Sequence, residues 1–279
     1  MWKMVNKSAF IGVLVMVLVC SMPKVQALPL IGSDFDGILY DIDLLTGAVS
    51  NPRNTGINPL AGIEFSADGT LYGLSTFGNS PNPNSLFRVD PRTGASTLIG
   101  ITGIEVTEGG LAFDPTSELL YGCQAKGQDL LYTFDLSNAK ATVKGTIVSS
   151  GDISAISFDD SGTLYAIDQL EQSLLTLDPS NANIIKSIDL NISLGSILGM
   201  DFDPSSGIMY VADGSSGGTD TLYTVDLSTG VLSPVGPTGL TDGLSGLAIV
   251  PEPYTISLLG LGSFLVLKKR RRRTININY

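Results

Sequence analysis

The side chains in this chain that could do chemistry are almost all carboxylates. There are 27 Asp and Glu residues, two cysteines and no histidine among 279 residues. Without histidine there is no Ser-His-Asp triad, no Cys-His pair and no His-ligated zinc, copper or haem. Gly-rich phosphate loops of the recognised spacing are absent too. What remains is chemistry that oxygen does alone. Glycoside hydrolysis needs only two acids about 5 to 10 Å apart. A hard cation such as Ca²⁺ needs about six to eight oxygens.

Named residues fit each possibility. Glu108 and Asp152 are the acid pair that neighbouring structural units could bring together. Asp213 and Asp220 bound the run Asp-Gly-Ser-Ser-Gly-Gly-Thr-Asp, whose glycines let backbone carbonyls turn inward, and Asp34 and Asp36 precede Gly37 in a shorter version. Neither run matches a full calcium-loop motif, so solvated acidic loops are the competing reading. Asp168, Asp242 and Phe77 join Glu108 and Asp152 as candidate partner-binding residues. Cys123 stands on an apolar run and reads as a buried small hydrophobe.

The elements that must position these groups are visible as a repeat. Leu39-Tyr40-Asp41-Ile42-Asp43 returns at Leu86, Leu131, Leu174 and Leu222, with spacings of 47, 45, 43 and 48 residues. A second motif keeps step: Gly62-Ile63-Glu64-Phe65, Gly110-Leu111-Ala112-Phe113, Ala155-Ile156-Ser157-Phe158, Gly199-Met200-Asp201-Phe202 and Gly246-Leu247-Ala248-Ile249. Within one repeat, Ala61 to Phe65, Thr70 to Ser75, Leu86 to Val89 and Ser96 to Gly100 read as short strands closed by turn residues. Asp43, Asp90, Asp135, Asp178 and Asp226 sit where a short side chain bonds its own backbone, so they are expected to cap turns.

A period in the forties with four strands is the pattern of a propeller blade. The order Gly-apolar-x-Phe, Asp/Ser-Gly-x-Leu-Tyr, Leu-Tyr-x-x-Asp resembles the NHL and YncE-like families of secreted propellers. That resemblance implies that the Gly-apolar-x-Phe run is the innermost strand of each blade. The last copy lacks three partners, and Leu28 to Ser33, Ile38 to Asp43 and a strand after Gly47 supply them, giving an all-β, five-bladed propeller over residues 28–250 that is closed by strand exchange between the chain ends. Pro29 cannot donate a ladder bond, so the first strand is expected to begin after it. The tight Asp and Gly turns then share one face, called the bottom, and the irregular acidic connections share the other, called the top, where function is expected. Glu64 and Asp201 replace Ala or Ser on innermost strands. Each must be wet in the channel or buried and paired.

The two ends carry addresses. Lys3 and Lys7 precede an apolar run from Ala9 to Cys20, and Val25-Gln26-Ala27 supplies small residues for signal peptidase, so residues 1–27 read as a signal peptide cleaved between Ala27 and Leu28. Val19 before Cys20 argues against lipidation. At the other end stand Pro251-Glu252-Pro253, an apolar segment over residues 254–267, and a basic cluster over 268–273 that includes Arg270, Arg271, Arg272 and Arg273. At about 1.5 Å per residue that segment spans roughly 21 Å against a hydrocarbon core of about 30 Å, which suits a transient transmembrane helix and anchor. The basic cluster holds its end on the cytoplasmic side. Residues 251–279 resemble the PEP-CTERM sorting signal of exosortase substrates. The resemblance implies an inner-membrane intermediate, cutting near Pro251-Glu252-Pro253 by an exosortase-type enzyme, and delivery to the cell surface or extracellular matrix of a bacterium.

Between the signals, 7 basic residues face 26 acidic ones, a net charge of −19. Nucleic acid and anionic membrane surfaces both require a basic footprint and are excluded as partners. Three functions fit. One is a non-enzymatic binding protein for extracellular polysaccharide or another surface protein, with calcium as its possible cofactor. The second is a calcium-dependent hydrolase or lyase on carbohydrates or lactones, which requires a deep top-face pocket. The third is a purely structural matrix protein. Trp2 leaves with the signal peptide, which removes indole stacking from any sugar-binding reading.

Overall fold

The computed structural model describes residues 30–251, apart from the stretches 79–80, 125–128, 150–151, 196–197 and 215–219. The described residues form five antiparallel four-stranded sheets. The first holds β1 (Leu30–Ser33), β2 (Ile38–Ile42) and β3 (Val49–Asn54), and the second β4 (Leu60–Phe65), β5 (Leu71–Ser75), β6 (Ser85–Val89) and β7 (Ser96–Ile101). The third holds β8 (Leu111–Asp114), β9 (Leu119–Cys123), β10 (Leu130–Phe134) and β11 (Ala141–Thr146). The fourth is built of β12 (Ile153–Phe158), β13 (Leu164–Asp168), β14 (Ser173–Leu177) and β15 (Ile184–Asp189), and the fifth of β16 (Gly199–Asp203), β17 (Ile208–Ala212), β18 (Thr221–Val225) and β19 (Leu232–Pro237). The last strand, β20 (Gly246–Ile249), returns to the first sheet and pairs with β1, Leu30 opposite Ile249 and Ser33 opposite Gly246. The chain is therefore a five-bladed β-propeller closed by its own ends.

Contacts among β4, β8, β12, β16 and β20 run round the axis, so the Gly-apolar-x-Phe motif is the innermost strand of every blade. The motif needs its small first residue because neighbouring inner strands touch backbone to backbone. A Cβ on Gly199 would lie 2.7 Å from the Gly246 carbonyl carbon, and one on Gly246 would lie 2.7 Å from the Ile63 nitrogen. Blade faces then pack on one another, and the core is divided among the blade junctions. Tyr121, Leu131, Ile156 and Leu164 fill one between the third and fourth blades; Ile31, Leu39, Ile63 and Phe87 fill another between the first and second. Prolines fall on outer strands, Pro52 on β3 and Pro234 and Pro237 on β19, where a missing donor costs no ladder bond.

The five recurrent aspartates cap the bottom turns. Asp43, Asp90, Asp135, Asp178 and Asp226 each accept a hydrogen bond through Oδ1 from the backbone N–H two residues on, at 2.8 to 2.9 Å. Hydrogen bonding to the charged form holds the carboxyls of Asp135, Asp178 and Asp226 below the usual carboxylate range. Gly47, Gly94 and Gly230 take positive φ at the end of three of these turns, and Ala139 and Ala182 take it in the other two. Where the turn carries alanine, the outer strand beside it carries glycine: a Cβ on Gly100 would meet Asn138 and Ala139, and one on Gly145 would meet Asn181 and Ala182.

The leader, its junction at Ala27 and Leu28, and the tail from Glu252 through the apolar segment and Arg270 to Arg273 lie outside the described residues. Among the described residues no helix is long and apolar enough to cross a membrane. Pro251 follows β20 on the bottom face after a single residue, Val250, which packs against the junction of the first and second blades.

Candidate functional site

On the top face, the residue entering the third strand of a blade reaches toward the loop that enters the next blade. Asn84 Oδ1 accepts from the Val106 N–H at 2.8 Å, Gln172 Oε1 from Leu194 at 2.6 Å, and Asp220 Oδ2 from Gly243 at 2.6 Å. Asp129 Oδ1 makes the same contact with Ile153 at 3.5 Å. Asn84, Asp129 and Gln172 all have positive φ, which Asn and Asp tolerate better than most residues. Sequence reading missed these latches, although the signal was present as a polar residue two places before the recurrent Leu of the Leu-Tyr strand. It also missed Thr55-Gly56-Ile57, Thr102-Gly103-Ile104 and Thr238-Gly239-Leu240. In each, the threonine hydroxyl bonds a carbonyl from the preceding top loop and caps the N–H two residues on.

Most candidate cation ligands serve this scaffolding. Asp34 accepts from the Ile38 N–H at 2.8 Å and from the Tyr40 hydroxyl at 2.9 Å, and burial raises its carboxyl above the usual range. Asp36 is exposed and accepts from Asn58 Nδ2 at 3.4 Å. Asp213 Oδ1 accepts from the Gly195 N–H at 2.7 Å. Gly214, in the glycine-rich run, instead lies against Gly243, where an added Cβ would come within 2.6 Å. Asp168 lies inside the blade, 1% exposed, with Oδ1 accepting from Leu170 and Glu171. Asp168 Oδ2 and Asp220 Oδ1 are buried without a hydrogen-bond partner. Burial, with the charges of Asp213 and Asp242, pushes the Asp220 carboxyl up, which favours a neutral acid there. Among the described residues no three carboxylates gather about one point.

Glu108 lines a cavity at the mouth of the channel and Asp152 directly precedes β12; both are half-buried, and Asp152 Oδ2 accepts from Gln169 Nε2 at 3.2 Å. Among the described residues the mouth shows one small cavity. Phe35, Ala61, Glu108, Gly109, Ser154, Leu198 and Ser245 line a cavity of about 10 Å³, room for one water molecule. Ser245 Oγ ties the mouth together by bonding the Leu60 carbonyl at 2.9 Å. Around it, Asp242 is exposed, Phe77 is 50% exposed, and Val148 and Leu170 project from other top connections. A wider shallow groove of about 650 Å³ lies on the outer edge of the fifth blade, between Ile208, Thr224, Asp226 and Val231.

Lower in the channel the third motif position forms a ring of Glu64, Ala112, Ser157, Asp201 and Ala248. Glu64 is 5% and Asp201 7% exposed. Glu64 Oε1 accepts from the Phe65 N–H at 2.7 Å. Asp201 Oδ1 accepts from the Phe202 N–H at 2.8 Å and the Ser157 hydroxyl at 3.3 Å, and Oδ2 accepts from the Ile249 N–H at 2.5 Å. Of the two possibilities open for these residues, the structure selects burial, with each carboxylate next to the other's field. Burial first, then repulsion from Asp201, lifts the Glu64 carboxyl well above its ordinary value. Burial likewise lifts Asp201, to about 7.

A family model described as "Domain of unknown function (DUF4394)" matches residues 53–248, from β3 through all but the end of β20. No curated protein matches the chain by sequence. Solved structures with the same fold include a chain from a nidogen/laminin complex, 17% identical over 80% of this chain and 98% of that one, with a TM-score of 0.53. A Bacteroides caccae protein of unknown function is 12% identical over 80% of this chain and 100% of its own, also at 0.53. TolB from Acinetobacter baumannii is 17% identical, with 76% of this chain covering 53% of TolB at a TM-score of 0.50. At such identities the likeness is one of fold.

Proposed function

This chain belongs to the DUF4394 family, and we propose that it is an exported propeller of the bacterial cell surface or extracellular matrix, which binds a partner through its top face without catalysing a reaction. The observation that carries this reading is the small cavity that the described residues leave at the mouth of the channel. A hydrolase or lyase working with paired carboxylates needs a substrate-sized pocket at the axis, and a cavity that holds one water gives that reading no support. A broad face with Phe77, Val148 and Leu170 set among carboxylates suits contact with a large partner, either another surface protein or extracellular polysaccharide. Delivery follows the tail. Because Pro251 leaves from the bottom face, a membrane-held intermediate would turn its regular turns toward the bilayer and its top face outward.

Mass spectrometry of the protein recovered from cells with and without the exosortase-type enzyme tests the delivery. The expected result is a chain ending near Pro251-Glu252-Pro253 in the first case and a chain retaining its basic tail in the second. Identical masses would overturn the sorting assignment.

Calcium binding is the second reading, favoured by the unpartnered buried oxygens Asp168 Oδ2, in the field of Asp129, and Asp220 Oδ1, in the field of Asp213 and Asp242. A cation there would have to draw its remaining ligands from backbone carbonyls and water. Calorimetric titration of the full chain with calcium chloride is expected to give heat and a higher melting temperature. Neither heat nor a shift would remove calcium from the account.

A further inference from the structure

We propose that Glu64 and Asp201 form a proton-dependent clasp on the closure of the ring: one proton held by the pair keeps β20 in place, and its loss to water sets two like charges against each other in the channel. The geometry is specific. The two carboxylates stand at the same level of the channel, on β4 and β16, the inner strands that flank β20 on either side. Asp201 Oδ2 accepts the Ile249 N–H at 2.5 Å, so one member of the pair holds the closing strand directly. A Cβ on Gly246 would lie 2.7 Å from Ile63 N, so β20 has no slack on the Glu64 side.

Nothing nearby neutralises the pair. Ala112 on β8, Ser157 on β12 and Ala248 on β20 complete the ring without a titratable group, and Asp203 on β16 adds a further negative charge. The basic residues of the described strands, Arg53, Arg88, Lys144 and Lys186, sit on third and fourth strands of their blades, away from the axis. The pair is also dispensable to the fold in principle, because two blades carry alanine and one carries serine at this position. Two carboxylates where the repeat tolerates Ala or Ser make a costly choice for stability alone.

The direction of the pH effect follows from burial. Both carboxyls are raised, Asp201 to about 7. The folded ring therefore retains protons that an unfolded Asp or Glu releases near pH 4. The Asp201 contribution is complete below about pH 4 and is lost as pH rises through about 7, and the raised Glu64 carboxyl acts in the same direction. The turn aspartates with lowered pKa act at the acid end and stay charged throughout the neutral range. Asp34, Asp129 and Asp220 are raised by burial as well, but they lie on top loops and contribute alike to wild type and to channel variants.

The test is thermal unfolding of the full chain in non-ionic detergent between pH 5.5 and 8.5, for wild type, Glu64→Ala and Asp201→Ser, which copy residues found at the same position in other blades. The wild-type melting temperature is expected to fall across this range by about 5 °C or more, since about 1 kcal/mol moves a domain of this size by roughly 2–4 °C. Glu64→Ala is expected to lose at least half of that fall. An unchanged fall in both variants overturns the clasp. Difference infrared spectroscopy gives an independent reading that requires only the folded wild type: a protonated-carboxyl band at pH 6 that Glu64→Gln abolishes supports the pair, and a spectrum unaltered by that substitution refutes it.

Discussion

Gly246→Val is expected to be among the most damaging single substitutions in the propeller, lowering stability by about 3 kcal/mol or more. The added Cβ would lie 2.7 Å from the Ile63 nitrogen, 2.9 Å from Ser33 Oγ and 3.0 Å from Ile63 Cγ1. The first of these is backbone and cannot swing away. Relief requires β20 to shift from β4, yet β20 is bonded to β1 and held by Asp201 on its other side. Urea unfolding of the full chain should show a lower midpoint with an unchanged slope. Gly69→Ala is the informative control. Unlike Gly246 it has positive φ, but an added Cβ there meets nothing within 4 Å, so only the local backbone cost of about 1 kcal/mol is expected. Equal effects of the two substitutions would show that the inner-strand contact does not limit stability. Because Pro251 stands two residues beyond β20, the same variant is expected to present its tail in an unfolded context and to be processed irregularly.

Arg53→Ala is expected to cost about 3 kcal/mol. Arg53 Nη2 lies 2.7 Å from Asp41 Oδ1 in the one ion pair among the described residues, and the two side chains are only 5% and 13% exposed. Arg53 Nη1 also donates to the Asn51 carbonyl at 2.7 Å, while Asn51 Nδ2 donates to Asp41 Oδ2 at 2.9 Å. These bonds hold Asn51 at positive φ where the pairing of β2 and β3 shifts register between Leu39 and Asp41. Removing the guanidinium leaves Asp41 uncompensated, which costs more than the pair itself contributes. The double variant Arg53→Ala, Asp41→Ala should therefore recover at least about 1 kcal/mol relative to the single one, as a double-mutant cycle would measure. A double variant no more stable than Arg53→Ala would place the loss in packing of the arginine stem instead.

The two substitutions differ in how far sequence anticipates them. Gly246 belongs to a motif that recurs with the blade period, and its place on the innermost strand followed from that recurrence together with the family resemblance. Arg53 carries no motif. It matters because β2 and β3 bring it against Asp41, and nothing in a run of Asn-Pro-Arg-Asn announces a buried ion pair. The candidate site divides in the same way. Asp43 and its four counterparts were readable as turn caps because their partners lie two residues away. Asp168 and Asp220, read as members of an acidic face, are inside it.

By itself the sequence determined the repeat and the turn chemistry, since both rest on local spacing; the strand order within each blade and the meeting of the two chain ends followed once the family resemblance was added. The sequence also determined the surplus of acid and the absence of histidine, which confine any chemistry to oxygen. Only the tertiary structure decided which carboxylates are exposed and which are buried, and that Glu64 and Asp201 share one level of the axis on the two inner strands that flank β20. The reason is physical: burial and like-charge repulsion depend on the neighbours that a side chain meets after the ring has closed. Ser33 and Ser245, which touch across 212 residues of chain, mark where that closure occurs.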